Sequence, residues 1–166
     1  MTDRSPNPTN PPKGISPDFT WSEFSVTSTG LANDLPNWAR VPIGRLVAAV
    51  LQPWRDLVGP LQVTSGYRSS AVNIAINGSS TSQHTRGEAA DVVPMAMDRS
   101  EAWSILLAMV AEGLPVDQAI IYDDRGHVHA SHTSSRPNRR QVLVYVSEVG
   151  LYVPWATYIG PLKEHP

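Results

Sequence analysis

Cysteine is absent from the 166 residues. Disulfides and thiolate metal sites are therefore excluded, and any tightly held transition metal must use histidine and carboxylate ligands. Charge of one sign is also lacking: 13 Lys and Arg against 15 Asp and Glu give −2 with histidine neutral. Nucleic-acid binding needs a clustered basic footprint, so no nucleic-acid partner is expected. The one dense basic spot, Arg136, Arg139 and Arg140, reads as a solvated loop. No apolar run approaches the ~20 residues of a membrane span. The polar, proline-rich start of the chain lacks the apolar core of a secretory signal. If the substrate lies outside the cytoplasm, another agent has to deliver the protein.

What is present suits one domain. Apolar residues make up 41% of the chain, and a chain of this length buries roughly 70% of its unfolded surface. Residues 1–17 carry almost no large apolar side chain and are expected to be a flexible tail, unable to offset the entropy of ordering. Phe19, Trp21 and Phe24 alternate with polar residues and suit an anchor onto the domain. Apolar residues recur at helical spacing over 42–58, with Pro42 fitting a first turn and Pro53 expected to kink or split the helix. Strands are expected at 61–65, 89–93, 116–122, 127–132 and 141–146. A short helix through Ile76 and a second over 102–111, capped by Asp98 and closed by Gly113, complete the pattern. This irregular alternation predicts an α+β fold: a small, mainly antiparallel sheet flanked by helices, with a domain over 18–146 and an extension over 147–166.

The chemistry concentrates in a few places. His84 stands in a small polar loop, Asp91 in the apolar run AADVV, and His127, His129 and His132 stand together downstream. A carboxylate in a buried strand needs a partner, and a cation is one. His84 and Asp91 lie seven residues apart across Gly87, so a turn and a strand can bring them together, and His129 can arrive from a neighbouring strand. Two imidazoles and one carboxylate leave a fourth tetrahedral position, the layout of a catalytic zinc site in a surface cleft. Each residue also has a plainer reading. A lone loop histidine is usually a surface residue, Asp91 can pair with an arginine, and His127 with His129 can be the polar face of a strand, where side chains have period two.

The segments Val63-Thr64-Ser65-Gly66-Tyr67-Arg68-Ser69, Ser82-Gln83-His84-Thr85-Arg86-Gly87-Glu88-Ala89-Ala90-Asp91, Asp117-Gln118 and His127-Val128-His129-Ala130-Ser131 resemble the M15 metallopeptidases. The resemblance is to D-alanyl-D-alanine carboxypeptidase-like and phage endolysin-like domains and runs from about residue 36 to 146. It implies that His84, Asp91 and His129 hold Zn2+. Arg68 would grip a substrate carboxylate or carbonyl, or else tether its turn to Asp56 or Glu88. Ser82 would support the ligand loop or touch substrate, and Gln118 would line the cleft or pair within the sheet. The implied substrate is a peptidoglycan stem peptide. The enzyme would be made in the cytoplasm and act at the wall or periplasm after release, or be carried in a virion. One position departs from the pattern: Gly126 stands where several members carry a basic carboxylate. His127 is then the first choice of general base, Asp124 and Asp123 the second, and Glu88 an alternative. The same departure keeps open a wall-binding or virion module with little or no catalysis.

Overall fold

A computed structural model describes residues 14–122, 124–158 and 160. The expected N-terminal tail lies outside the described residues except for positions 14–17. The domain behind it is α+β, as the sequence predicts. Six strands form one sheet: β1 (Leu61–Ser65), β2 (Ala89–Pro94), β3 (Gln118–Tyr122), β4 (His127–Ser131), β5 (Gln141–Val146) and β6 (Leu151–Pro154). Their order is β1-β2-β4-β3-β5-β6, and every pairing is antiparallel except the parallel β3–β5 contact. β6 was not anticipated. It lies in the stretch read as a C-terminal extension and pairs with β5 at the sheet edge.

Side chains alternate across each strand. Ala90 and Val92 of β2, Val128 and Ala130 of β4, and Ala119 and Ile121 of β3 face a buried core. Asp91, His127, His129, Gln118, Ile120 and Tyr122 take the alternate positions and line a cleft on the opposite face. The sheet thus separates a dry side, which holds the fold, from a polar side available for chemistry.

Helices cover the dry side. The first runs as α1 (Asn37–Leu46), a π turn (Val47–Leu51) and α2 (Gln52–Val58). It begins five residues before the expected start, so Pro42 lies inside the helix rather than in its first turn. Ala39, fully buried, extends the apolar stripe upstream of Ile43, and so small a side chain gives a weak periodic signal. The helix continues through Pro53, with its α pattern split by the π turn just before that residue. The π turn lets Gln52 N–H reach the Val47 carbonyl immediately before the residue that has no N–H to give. α3 (Ser70–Ala75) is short, and α4 (Arg99–Glu112) starts on the Asp98 cap and ends at Gly113. Trp54 Nε1 donates to the Ala102 carbonyl at 3.0 Å, joining α2 to α4 inside the core. Phe19 and Phe24 are buried and Trp21 packs beside them, which makes this segment the anchor that the sequence suggests.

Candidate active site

Three elements deliver the candidate ligands. His84 stands on a 3-10 turn (Gln83–Arg86) within the loop expected to be irregular. Gly87 ends that turn with φ +68°, a left-handed conformation that a side chain would strain. A Cβ there would also approach the Ala39 carbonyl oxygen to 2.9 Å. The chain then enters β2, which carries Asp91. β2 pairs with β4 so that Asp91 lies directly opposite His129. Register, rather than proximity in sequence, therefore brings the third group in.

The donor atoms form a compact triangle. His84 Nε2 lies 3.1 Å from His129 Nδ1, His129 Nδ1 3.0 Å from Asp91 Oδ1, and His84 Nε2 3.2 Å from Asp91 Oδ1. Donors around a tetrahedral ion with bonds of about 2.0–2.1 Å stand about 3.3 Å apart. The triangle is therefore close to the size that such an ion needs. It can hold a metal.

The supporting contacts orient these groups. His84 Nδ1 lies 2.7 Å from the Gly66 carbonyl. Donation of Nδ1–H to that oxygen leaves the Nε2 lone pair facing the triangle. The loop is held a second time by Arg68 N–H, which donates to the His84 carbonyl at 3.2 Å. Asp91 Oδ1 meets both histidines, while Oδ2 meets Arg68 Nη2 at 2.5 Å. Arg68 Nε donates to Ser65 Oγ at 2.9 Å, at the point where the β1–β2 register shifts. Arg68 thus sits on the carboxylate of the triangle, not on Asp56 or Glu88. Burial pushes the Asp91 carboxyl upward, but the His84 charge and hydrogen bonds from both imidazoles outweigh it and hold the carboxyl well below its ordinary range. Burial lowers His84, against a partial pull from Asp91. An ionised carboxylate is the form in which Asp91 can serve as a metal ligand.

A cleft of about 740 Å³ opens over the triangle. His127 lines it and stacks on Tyr122 with ring centroids 4.6 Å apart. Burial lowers the His127 pKa, as do Arg125 and His129, against Asp91 and Asp124. Ser82 and Gln118 also line the cleft. The Ser82 carbonyl accepts from Thr85 Oγ1 at 2.7 Å, and Gln118 Nε2 donates to Gln141 Oε1 at 2.7 Å. Asp124 does not line it and faces Arg125 at 3.6 Å. Asp123 lies outside the described residues. Glu88 accepts from Arg86 and Thr133, and His132 Nδ1 lies 2.8 Å from the Pro115 carbonyl, away from the triangle.

The family model described as Peptidase M15 matches residues 17–131. The chain belongs to the peptidase M15 family. No curated protein sequence matches it. An M15 chain is a peptidase, and here the segments 82–91 and 127–131 build a triangle that could hold a metal. Gly126, the departure from the family pattern, has a physical reason in this structure. Its φ is +67°, and a Cβ there would collide with the Arg99 guanidinium. A side chain at this position would be strained and would displace the Arg99 side chain.

Several cleft residues escaped the sequence reading: Tyr122, Tyr152, Arg86, Arg125, Arg136 and Arg139. Tyr122 was within reach, because it shares the period-two face of Gln118 on a strand paired with β4. Arg86 comes from the 3-10 turn and the other arginines from loops, and none gave a periodic signal.

Proposed function

We propose that this M15 peptidase hydrolyses an amide bond in peptidoglycan stem peptides, with Zn2+ held by His84, Asp91 and His129. The observation that carries the reading is the triangle of two imidazoles and one carboxylate at the floor of an open cleft. Two histidines and a carboxylate suit zinc, and three protein ligands leave a position for water or substrate. Zinc, when bound, supplies Lewis acidity toward water and the amide carbonyl.

The chain's own residues do the rest. Arg68 holds Asp91 in place and lines the cleft, where its guanidinium can also grip a carbonyl or carboxylate oxygen of the substrate. Ser82 and Gln118 offer hydrogen bonds along the cleft wall. His127, kept neutral by burial, accepts a proton as the attacking water is deprotonated and returns it to the leaving amine. Asp124 is the second candidate for that role. It would have to turn away from Arg125 to reach the cleft. The protein would act at the cell wall or periplasm, as a released lysis enzyme or a virion component.

Gly126 favours a second reading, a wall-binding module that retains the fold with little catalysis. One experiment separates the two. Purified walls are digested with zinc-loaded protein and the muropeptides are analysed by mass spectrometry. Cleaved stem peptides that disappear with a chelator and return with zinc are expected. Intact stem peptides under all conditions, with the protein bound to the wall, would establish the module instead.

A further inference from the structure

Among the described residues, five arginines line the cleft, against a single acidic side chain, Asp91. A chain of net charge −2 places five of its 13 Lys and Arg in this cleft. Three of the five are matched one to one: Arg68 by Asp91, Arg86 by Glu88 and Arg125 by Asp124. Arg136 and Arg139 instead share one carboxylate, that of Asp117, at 2.6 and 2.8 Å. Four carboxylates therefore serve five guanidiniums, and the one that is shared is Asp117.

The pair is built rather than incidental. Asp117 is fully buried. It accepts from Arg136 Nη1 and Nη2, from Arg139 Nε and Nη2, and from the Arg139 backbone N–H. Arg136 Nη1 also donates to the Pro137 carbonyl at 3.2 Å, and a little under half of each arginine side chain stays open to solvent. Two pre-anchored, partly exposed guanidiniums are donors that suit a carboxylate. Their order is already set by the fold, so a ligand loses less entropy in meeting them.

Their place in the cleft says which carboxylate. Asp117 immediately precedes Gln118 of β3, and Ile120 of the same strand lies opposite the metal ligand His129. A strand rises about 3.4 Å per residue, which puts the Asp117 backbone about 10 Å along β3 from Ile120, and the two arginines that Asp117 holds line the same cleft as the triangle. An extended substrate spans that distance in about two or three residues.

We propose that Arg136 and Arg139, anchored by Asp117, form a carboxylate-binding subsite that recognises an acidic group two or three residues from the scissile amide. The subsite deepens the peptidase reading above and rests on it for the placing of the scissile bond. It makes the cleft selective for peptides whose acidic group is free rather than amidated.

The probe is a stem tripeptide, L-Ala-γ-D-Glu-L-Lys, made once with both carboxylates free and once with both as carboxamides. Affinities for the zinc-loaded protein are measured by calorimetry, and mass spectrometry afterwards confirms that each peptide is intact. Wild type is expected to prefer the free acid by about tenfold or more. In Arg136→Gln and in Arg139→Gln that preference falls by at least about fivefold. Each single variant leaves Asp117 one guanidinium, so the fold is retained, and a melting curve verifies this. A preference that survives in both variants belongs to Arg68 and overturns the proposal, as does a wild type that binds both peptides equally. A clear acid preference with no cleavage of purified walls would count against the peptidoglycan peptidase reading alone and leave the subsite standing.

Discussion

Asp117→Asn is the substitution that most directly tests whether the basic spot is architecture or solvated loop. The change keeps the side chain's shape and removes its charge. In the native protein both carboxylate oxygens are fully engaged, with contacts of 2.6 to 3.2 Å to two guanidiniums and one backbone N–H. An asparagine amide would turn an NH2 group toward donors. Removing one partner of a buried ion pair costs about 3–5 kcal/mol. Here the arginine side chains are 44% and 46% exposed and can recover hydration, which reduces the loss to about 2–4 kcal/mol. For a chain of this size each kcal/mol moves Tm by about 2–4 °C, so a fall of roughly 4–16 °C is expected. The pH dependence carries a sign. Burial alone would raise the Asp117 carboxyl, but Arg136 and Arg139 outweigh it and hold the carboxyl far below its ordinary value. A depressed folded-state pKa means stability that is present above the unfolded value of about 3.9 and lost as pH falls toward the folded one. The gap in Tm between wild type and Asp117→Asn should therefore be full at pH 6 and narrow from about pH 4 downward. Differential scanning calorimetry across pH 2.5–7 measures both. A shift under about 2 °C at pH 6, or a gap that does not change with pH, would mean that the arginines are solvated after all.

The remaining expectations concern the triangle and its neighbours. His84→Ala and Asp91→Ala should each abolish zinc binding and activity together; a variant that retains one zinc per chain by elemental analysis would remove that residue from the ligand set. His127→Ala should keep its zinc and lose about 10²–10⁴-fold in kcat. Because burial lowers the His127 pKa, the acid limb of kcat/KM should lie below about pH 6.5, with activity lost as pH falls through it and the ring protonates. An acid limb above pH 7 would count against His127 as the base. Arg68→Ala should lower kcat/KM about 10- to 150-fold, the equivalent of one charge-assisted hydrogen bond of roughly 1.5–3 kcal/mol, and Arg68→Lys should recover part of that. A lowered Tm with normal kinetics for the folded fraction would confine Arg68 to its hold on Asp91.

The comparison of Asp91 with Asp117 shows how far the sequence reaches. Both are carboxylates beside apolar residues of a strand, and both are buried. Burial makes a partner obligatory in each case, which is legible without a structure. For Asp91 the partner was legible too. His84 is close in the chain, Gly87 supplies the turn between them, and the alternation His127, Val128, His129 puts two imidazoles on one face. One antiparallel register, Asp91 against His129, then completes the triangle. For Asp117 nothing local points to its partners. Arg136 and Arg139 lie 19 and 22 residues downstream in a segment with no period, and they reach Asp117 because β5 pairs in parallel with β3. The return run is the strand β4 itself, after which residues 132–140 pass the end of β3 to start β5, so the crossover helix that usually signals a parallel contact is missing. β6 was hidden for a related reason. It is a short edge strand whose residues are mostly exposed, so no alternation marks it. The same sheet order that conceals these contacts is what sets the arginine pair beside the cleft. Had β5 taken the edge position next to β1, Asp117 would have lost its guanidiniums and the cleft its arginine pair, with every motif of the metal triangle still intact.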